Sequence, residues 1–207
     1  DYLKKMLGRG EAVSEEDLAS IAKDFHDNVQ RASAIIQHMR DFSRQSDVNR
    51  TRIDINAPIR DIFKVLGHQL EVHKVELELD LASGLPSIFA DHNRLEQVFI
   101  NLVTNAVDAM DAKAAAAGNG VEKRLTIRSG LNDGMVTVTV TDTGTGMSPV
   151  VQEKIFEPFF TTKEVGKGTG LGVSISYGIV KDYDGTIEVR SREGEGTTFT
   201  LRFPAVG

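Results

Sequence analysis

Two amides four residues apart, an aspartate closing an apolar run and two clusters of glycine are the residues of this sequence whose types and spacing can do chemistry. Most of them fall between Asp142 and Gly172. The stretch opens with DTGTGM after a β-patterned run, Met135 to Thr141, continues through FEPFFTTK, Phe156 to Lys163, and closes with GKGTGLG, Gly166 to Gly172. Glycine reaches positive φ and lets a backbone approach phosphate oxygens closely. The second cluster leads into a helical pattern of Leu171, Val173, Ile175, Ile179 and Val180, so its N–H groups would point at an anion. Asp142, at the end of its strand, is an acceptor suited to an exocyclic amine. This combination predicts a hinged flap over a nucleotide.

Neither glycine cluster is the Gly-x-x-x-x-Gly-Lys-Ser/Thr of a phosphate loop, and the alternation at Gly166, Gly168, Gly170 and Gly172 does not fit a dinucleotide fingerprint. The amides lie in a helix-patterned segment from Asp91 to Ala117. There Leu95, Val98, Phe99, Leu102, Val103, Ala106, Val107 and Met110 recur at three- and four-residue steps and make one buried face. Asn101 and Asn105 project from a common side of that helix. An amide oxygen is a hard ligand, and Mg²⁺ takes a few such ligands while phosphates and waters complete its octahedron.

Carried by these residues, the chain resembles the catalytic, ATP-binding end of two-component sensor histidine kinases. The asparagine box of that family is matched by Asn101 to Ala109, its first glycine box by Asp142 to Gly146 and its phenylalanine box by Phe156 to Lys163. The second glycine box is matched by Gly166 to Gly172, and the closing Gly-x-Gly-Thr by Gly194 to Thr197. The resemblance covers most of residues 52 to 206. It implies ATP and Mg²⁺ as cofactors, with Asn105 as metal ligand and Asn101 contacting phosphates or a metal-bound water. Asp142 would accept from the adenine amino group, with Gly144 and Gly146 letting the base lie against the backbone. Lys163 and the amides of Gly168, Gly170, Leu171 and Gly172 would hold the phosphates, and Thr197 would complete the adenine pocket through water. Asp108 stands where many relatives have a basic residue, which leaves charge compensation to Lys163, Lys167 or Mg²⁺. Phe156, Phe159 and Phe160 are assigned to the core as anchors of the flap.

The elements that must position these residues form an α/β fold. A short strand at Arg52 to Ile55 precedes a helix capped by Asn56 and running to about His73. Strands follow at Val75 to Leu81 and Ser87 to Ala90, then the asparagine-box helix. Two hairpins complete the pattern: Arg124 to Gly130 with Met135 to Thr141, turning at Asn132-Asp133-Gly134, and Gly185 to Ser191 with Thr197 to Phe203. The expectation is a two-layer sandwich, a mixed sheet of about five strands with three helices on one face, spanning residues 53–207. By resemblance this fold is shared with type II topoisomerases, mismatch-repair ATPases and heat-shock chaperones.

Residues 1–46 read as part of a helical hairpin and 47–52 as a linker. Ser14 opens a helix with Asp17 as its capping partner, and Leu18, Ala22, Phe25, Val29, Ala32, Ile36 and Met39 follow a heptad seam. This predicts a homodimer through a helical bundle. The family's reactive histidine, followed by an acidic residue and then a proline, has no counterpart here, so the phosphoacceptor is expected outside this sequence. His26, followed by Asp27, is too close to the linker for that role, and His38, His68, His73 and His92 read as bystanders.

The 207 residues suffice for one domain and a smaller appendage. The lack of cysteine excludes disulfides and thiolate metal sites, and the net charge of −6 argues against nonspecific nucleic-acid binding. No run is long and apolar enough to span a membrane. A cytoplasmic location without membrane contact is expected, whether or not the parent protein is anchored.

The activity implied is transfer of the ATP γ-phosphoryl group to a bundle histidine, with a response-regulator receiver domain as partner. Alternatives are an ATPase or serine/threonine kinase on the same fold, and a nucleotide-binding dimerisation module without activity of its own. The related ATPases carry a glutamate at the position of Asn101, and an amide cannot take a proton from water at neutral pH. Glu96, one turn earlier, is read as a solvated helix residue and not as a substitute base.

Overall fold

The computed structural model describes residues 49–118, 120–163 and 168–206, together with Ser14, Asp17, Leu18, Ile21, Ala22, Phe25 and Val29. Two compact units divide the chain; residues 46–161 and 170–207 form the one that carries the sheet. In the other unit, the described residues between Asp17 and Val29 are helical. The expected cap is present there: the Ser14 hydroxyl accepts from the Asp17 N–H at 3.0 Å, and the Asp17 carboxylate accepts from the Ser14 N–H at 3.3 Å. The remainder of the expected heptad seam, with His26 and His38, lies outside the described residues.

In chain order the sheet-bearing unit contains β1 (Thr51–Ile53), α1 (Asn56–Val72), β2 (Glu76–Leu81), β3 (Ile88–Ala90), α2 (His92–Ala117), β4 (Arg124–Asn132), β5 (Met135–Asp142), α3 (Pro149–Lys154), α4 (Gly172–Asp182), β6 (Thr186–Arg192) and β7 (Gly196–Pro204). Five strands form the main sheet in the order β2-β4-β5-β7-β6. β2 runs parallel to β4 and the other pairs are antiparallel, so the sheet is mixed as expected. β1 and β3 make a separate antiparallel pair, with Thr51 opposite Ala90.

All eight apolar residues read from the asparagine-box pattern, Leu95 through Met110, are buried on α2. They pack with Ile59 and Ile62 of α1, Ile179 and Val180 of α4, and the inner side of the sheet, including Ile127, Val138 and Leu201. Each such side chain contributes about 1.5–3 kcal/mol on burial. Asp91 ends the extended approach to α2 and accepts from the Arg94 N–H at 3.1 Å, an N-cap that fixes where the helix begins. The Asn132 to Gly134 hairpin turn is also as read: Asp133 and Gly134 both have positive φ, the two-residue turn that matches strand twist.

Two local readings are corrected. Asn56 does not cap α1. Asp54 accepts from the Asn56 N–H at 2.9 Å, and the buried Asn56 amide instead donates to the Ala82 carbonyl at 2.8 Å and accepts from the Ser129 hydroxyl at 2.7 Å. It therefore fastens the start of α1 to the ends of β2 and β4. The short helix α3 was not anticipated, although Ser148 followed by Pro149 is a helix-start signal; Ser148 caps it through the Val151 N–H at 3.4 Å. Replacing Asn56 with Ala strands a buried carbonyl and a hydroxyl, and urea unfolding is expected to show a loss of about 1–3 kcal/mol with an unchanged m-value.

Candidate functional site: a nucleotide cleft between two glycine loops

Asp142, the last residue of β5, lies opposite Leu125 on β4 and Thr197 on β7, at one end of the sheet. It is 7% exposed, and its Oδ1 accepts from the Gly144 N–H at 2.8 Å. Burial pushes the carboxyl up to about 6, against the opposing effect of N–H groups from Gly144 and Thr197 and of the Lys113 charge. At pH 7 the group is therefore mostly an ionised acceptor at this end of the sheet.

The loop after Asp142 is held on both sides. Toward α2, Lys113 donates to the Thr143 carbonyl at 2.7 Å and the Thr145 N–H donates to the Ala109 carbonyl at 3.2 Å. Toward the β6–β7 turn, the Gly194 N–H donates to the Thr145 carbonyl at 2.7 Å and the Met147 N–H to the Ser191 hydroxyl at 2.8 Å. A Cβ on Gly144 would lie 2.7 Å from the Ala109 Cβ, and one on Gly146, at φ +65°, would lie 1.9 Å from the Arg192 carbonyl oxygen. The expected use of these glycines was room for a base. In the structure the missing side chains let the loop close against α2 and the hairpin.

The second glycine cluster meets the other end of the same helix stripe. Asn101 donates from its amide to the Gly172 carbonyl at 3.0 Å and to the Ser176 hydroxyl at 3.4 Å. Ser176 is itself buried and donates back to the Gly172 carbonyl at 2.9 Å. Leu171 is buried just before α4, and its carbonyl accepts from the Ser174 hydroxyl at 2.9 Å. Gly170 has φ +67°, and a Cβ there would be 2.4 Å from the Phe159 carbonyl carbon, so the phenylalanine segment and the glycine cluster cross backbone to backbone. Asn101 thus touches the second cluster and Ala109 the first. Asn105, four residues from each on the same helix side, lies between them. A single neutral oxygen donor at that place suits Mg²⁺ held chiefly by phosphate and water, and does not suit an ion needing a complete protein shell.

Thr197 is buried, with its hydroxyl 3.0 Å from that of Ser191. Lys163 and Gly168 fall in the segment 162–169 of the other unit, and Lys167 lies outside the described residues. Phe156 packs as an anchor, its ring 5.3 Å from that of Tyr177. Phe159 does not: it is 64% exposed with φ +67°, a sterically costly conformation for an aromatic residue, because its backbone is committed to Gly170. Two residues not read from the sequence join the loops. Gln152 of α3 donates to the carbonyls of Met147 and Ser191 at 3.1 and 3.0 Å, and Ser191 donates to the Gly196 carbonyl at 2.8 Å. A polar residue on a strand carries no signal of such a role, whereas the Ser148-Pro149 start would have placed Gln152 on a helix. His73 and His92 each meet carboxylates: His73 Nδ1 is 2.5 Å from Asp111, and His92 faces two.

Residues 90–207 match the family described as histidine kinase-, DNA gyrase B- and HSP90-like ATPase, and the chain belongs to that family. Within it the likeness runs to histidine kinases. Over 188 residues the chain is 39% identical to a protein named sensor kinase CckA from Brucella abortus (strain 2308), a match covering 86% of this chain and 19% of that protein. The solved catalytic domain of histidine kinase ThkA superposes with a TM-score of 0.64 at 31% identity, over 76% of this chain and 96% of that one. A structure of ThkA in complex with response regulator protein TrrA gives 0.73 at 25% identity, over 99% of this chain and 56% of that one. The chain thus spans about a fifth of the length of the relative named first.

The raised Asp142 carboxyl gives a signed pH prediction. Its folded value of about 6 exceeds the ordinary 3.8, so the native state binds this proton more tightly than the unfolded chain and gains stability as pH falls from 6 toward 4. Asp142→Asn removes that titration. The stability of the variant relative to wild type is expected to drop by up to about 3 kcal/mol between pH 7 and pH 4 in paired urea melts, and a constant difference would contradict the burial argument.

Proposed function

We propose that this chain is the catalytic part of a protein-histidine autokinase of a two-component system. The observation that carries the reading is the helix stripe Asn101–Asn105–Ala109, which meets both glycine loops and places Asn105 between them, with the buried carboxylate of Asp142 beside the first. In this reading Asp142 accepts from the adenine amino group, and Gly144 and Gly146 shape the pocket by letting its loop close. Thr197 completes the adenine side through water. Asn105 would hold Mg²⁺, which would supply positive charge to offset that of the phosphates. Asn101 holds Gly172 in place and contributes to the phosphate side with the amides of Gly170, Leu171 and Gly172.

The reaction is an in-line displacement at the γ-phosphorus. A bond forms to a histidine nitrogen, the bond to the β-phosphate oxygen breaks, ADP leaves, and the imidazole N–H proton passes to solvent. The acceptor is a histidine of a dimeric helical bundle, and the phosphoryl group then moves to an aspartate of a receiver domain. The ThkA–TrrA complex supports a partner of that kind. A cytoplasmic setting suits such a partner.

Hydrolysis is disfavoured by the same geometry. Asn101 uses its amide N–H group on Gly172 and Ser176. Glu96, one turn before Asn101 on α2, is 3.4 Å from His92 Nε2 and so is engaged elsewhere. Without a local base to activate water, the phosphoryl group is kept for the histidine.

Mixing the chain with labelled ATP, Mg²⁺ and a complete helical hairpin bearing an acceptor histidine is expected to place acid-labile label on the hairpin. Asn105→Ala should reduce the rate at least about a hundredfold. Rapid phosphate release without protein label would shift the assignment to an ATPase. A second expectation concerns the crossing of the two loops: Gly170→Ala should weaken nucleotide binding about tenfold or more by forcing the Phe159 backbone away, measured by calorimetry with a non-hydrolysable ATP analogue.

A further inference from the structure

Away from the nucleotide cleft, the first turn of α2 meets the first half of α1 through one imidazole and two carboxylates. His92 opens α2, Glu96 follows four residues on, and Asp61 reaches both from α1. His92 Nε2 is 3.1 Å from Asp61 Oδ2 and 3.4 Å from Glu96 Oε1. The three ligand atoms lie within 4.8 Å of one another, and among the described residues no other trio of His, Cys, Asp or Glu converges in this way. All three side chains are half-buried.

We propose that His92, Asp61 and Glu96 form a binding site for a divalent first-row transition ion of the Zn²⁺ or Co²⁺ type, joining α1 to the start of α2. A four-coordinate ion with bonds of about 2.0–2.2 Å to nitrogen and oxygen holds neighbouring ligand atoms about 3.3 Å apart. The two separations from His92 Nε2 already have that value within 0.2 Å. Neutral imidazole and two carboxylates sum to two negative charges, matching the ion, and water takes the fourth position. The imidazole selects against Mg²⁺, which prefers oxygen, so this site is distinct in chemistry from that of Asn105.

Outer contacts support the arrangement. Lys64 donates to Asp61 Oδ1 at 2.6 Å, which turns Oδ2 toward His92. Binding uses the Nε2 lone pair, which leaves the ring proton of the neutral imidazole on Nδ1. The His–Glu spacing on α2 is visible in the sequence, but nothing there brings Asp61 to it.

Titrating the metal-free 207-residue chain with Co²⁺, without nucleotide, tests the site by visible absorption. The expected result is one equivalent giving the intense band of a four-coordinate ion, displaced by Zn²⁺, with Zn²⁺ raising the melting temperature. His92→Ala and Asp61→Asn should each weaken Co²⁺ binding at least about tenfold and remove the Zn²⁺ effect on melting. Glu96→Gln keeps the side chain's shape, and its loss of Co²⁺ affinity with wild-type circular dichroism would separate ligation from folding. His73→Ala and Asn105→Ala should bind as wild type. Binding that survives both His92→Ala and Asp61→Asn, or no binding at about millimolar Co²⁺, overturns the proposal.

Discussion

Helix α2 has to satisfy two constraints with one rotation about its axis. Its apolar face, from Leu95 to Met110, lies in the core against the sheet, α1 and α4. The bordering stripe then presents Asn101 to Gly172 and Ala109 to Gly144. Because residues on a helix are spaced by a fixed angle, seating the core face leaves no freedom in where the stripe points. The core is thus what aims the amides. A single residue inserted in this helix would turn the stripe away by about 100° without altering its composition.

The loops answer to that helix through missing side chains. Gly144 lies against Ala109, Gly146 against the Arg192 carbonyl, Gly196 against the Asp142 carbonyl and Gly170 against Phe159. These are contacts of backbone with protein, so the glycines define the cleft walls before any ligand enters. Ser191 and Gln152 bind the walls together, with Ser191 accepting from Met147 and donating to Gly196. Asp142 sits where these contacts converge. It is held where burial disfavours its charge, with the N–H groups of Gly144 and Thr197 and the Lys113 charge offsetting part of that cost.

The legible part of this architecture was the part written in periodicity. The α2 face, the Asp133-Gly134 turn and the two antiparallel hairpins follow from spacing and turn chemistry alone. The site residues were legible as types, since amides, glycines and a terminal aspartate are unusual where they stand. Their exact employment was not. Whether a Gly serves a ligand or a neighbouring carbonyl depends on which segment crosses it, and Gly146 and Arg192 are distant in sequence. Asn56, Ser191 and His92 were misread or passed over for the same reason: each partner comes from another element. Phe159 shows the converse, an aromatic residue whose type suggests the core but whose backbone geometry puts it outside.

The bonds that shape the cleft also say when it can form. Asn101 reaches Gly172 across 71 positions and Met147 reaches Ser191 across 44, whereas the β4–β5 hairpin joins neighbours in the chain. Closing long loops costs entropy that only the finished contacts offset, so hairpins and α2 can assemble before the two glycine loops are drawn together. The contacts around the two glycine loops thus belong, with the β5–β7 pairing, to the long-range set that forms after the local hairpins. A polyanion bound there would fasten long-range contacts while leaving the local ones as they were.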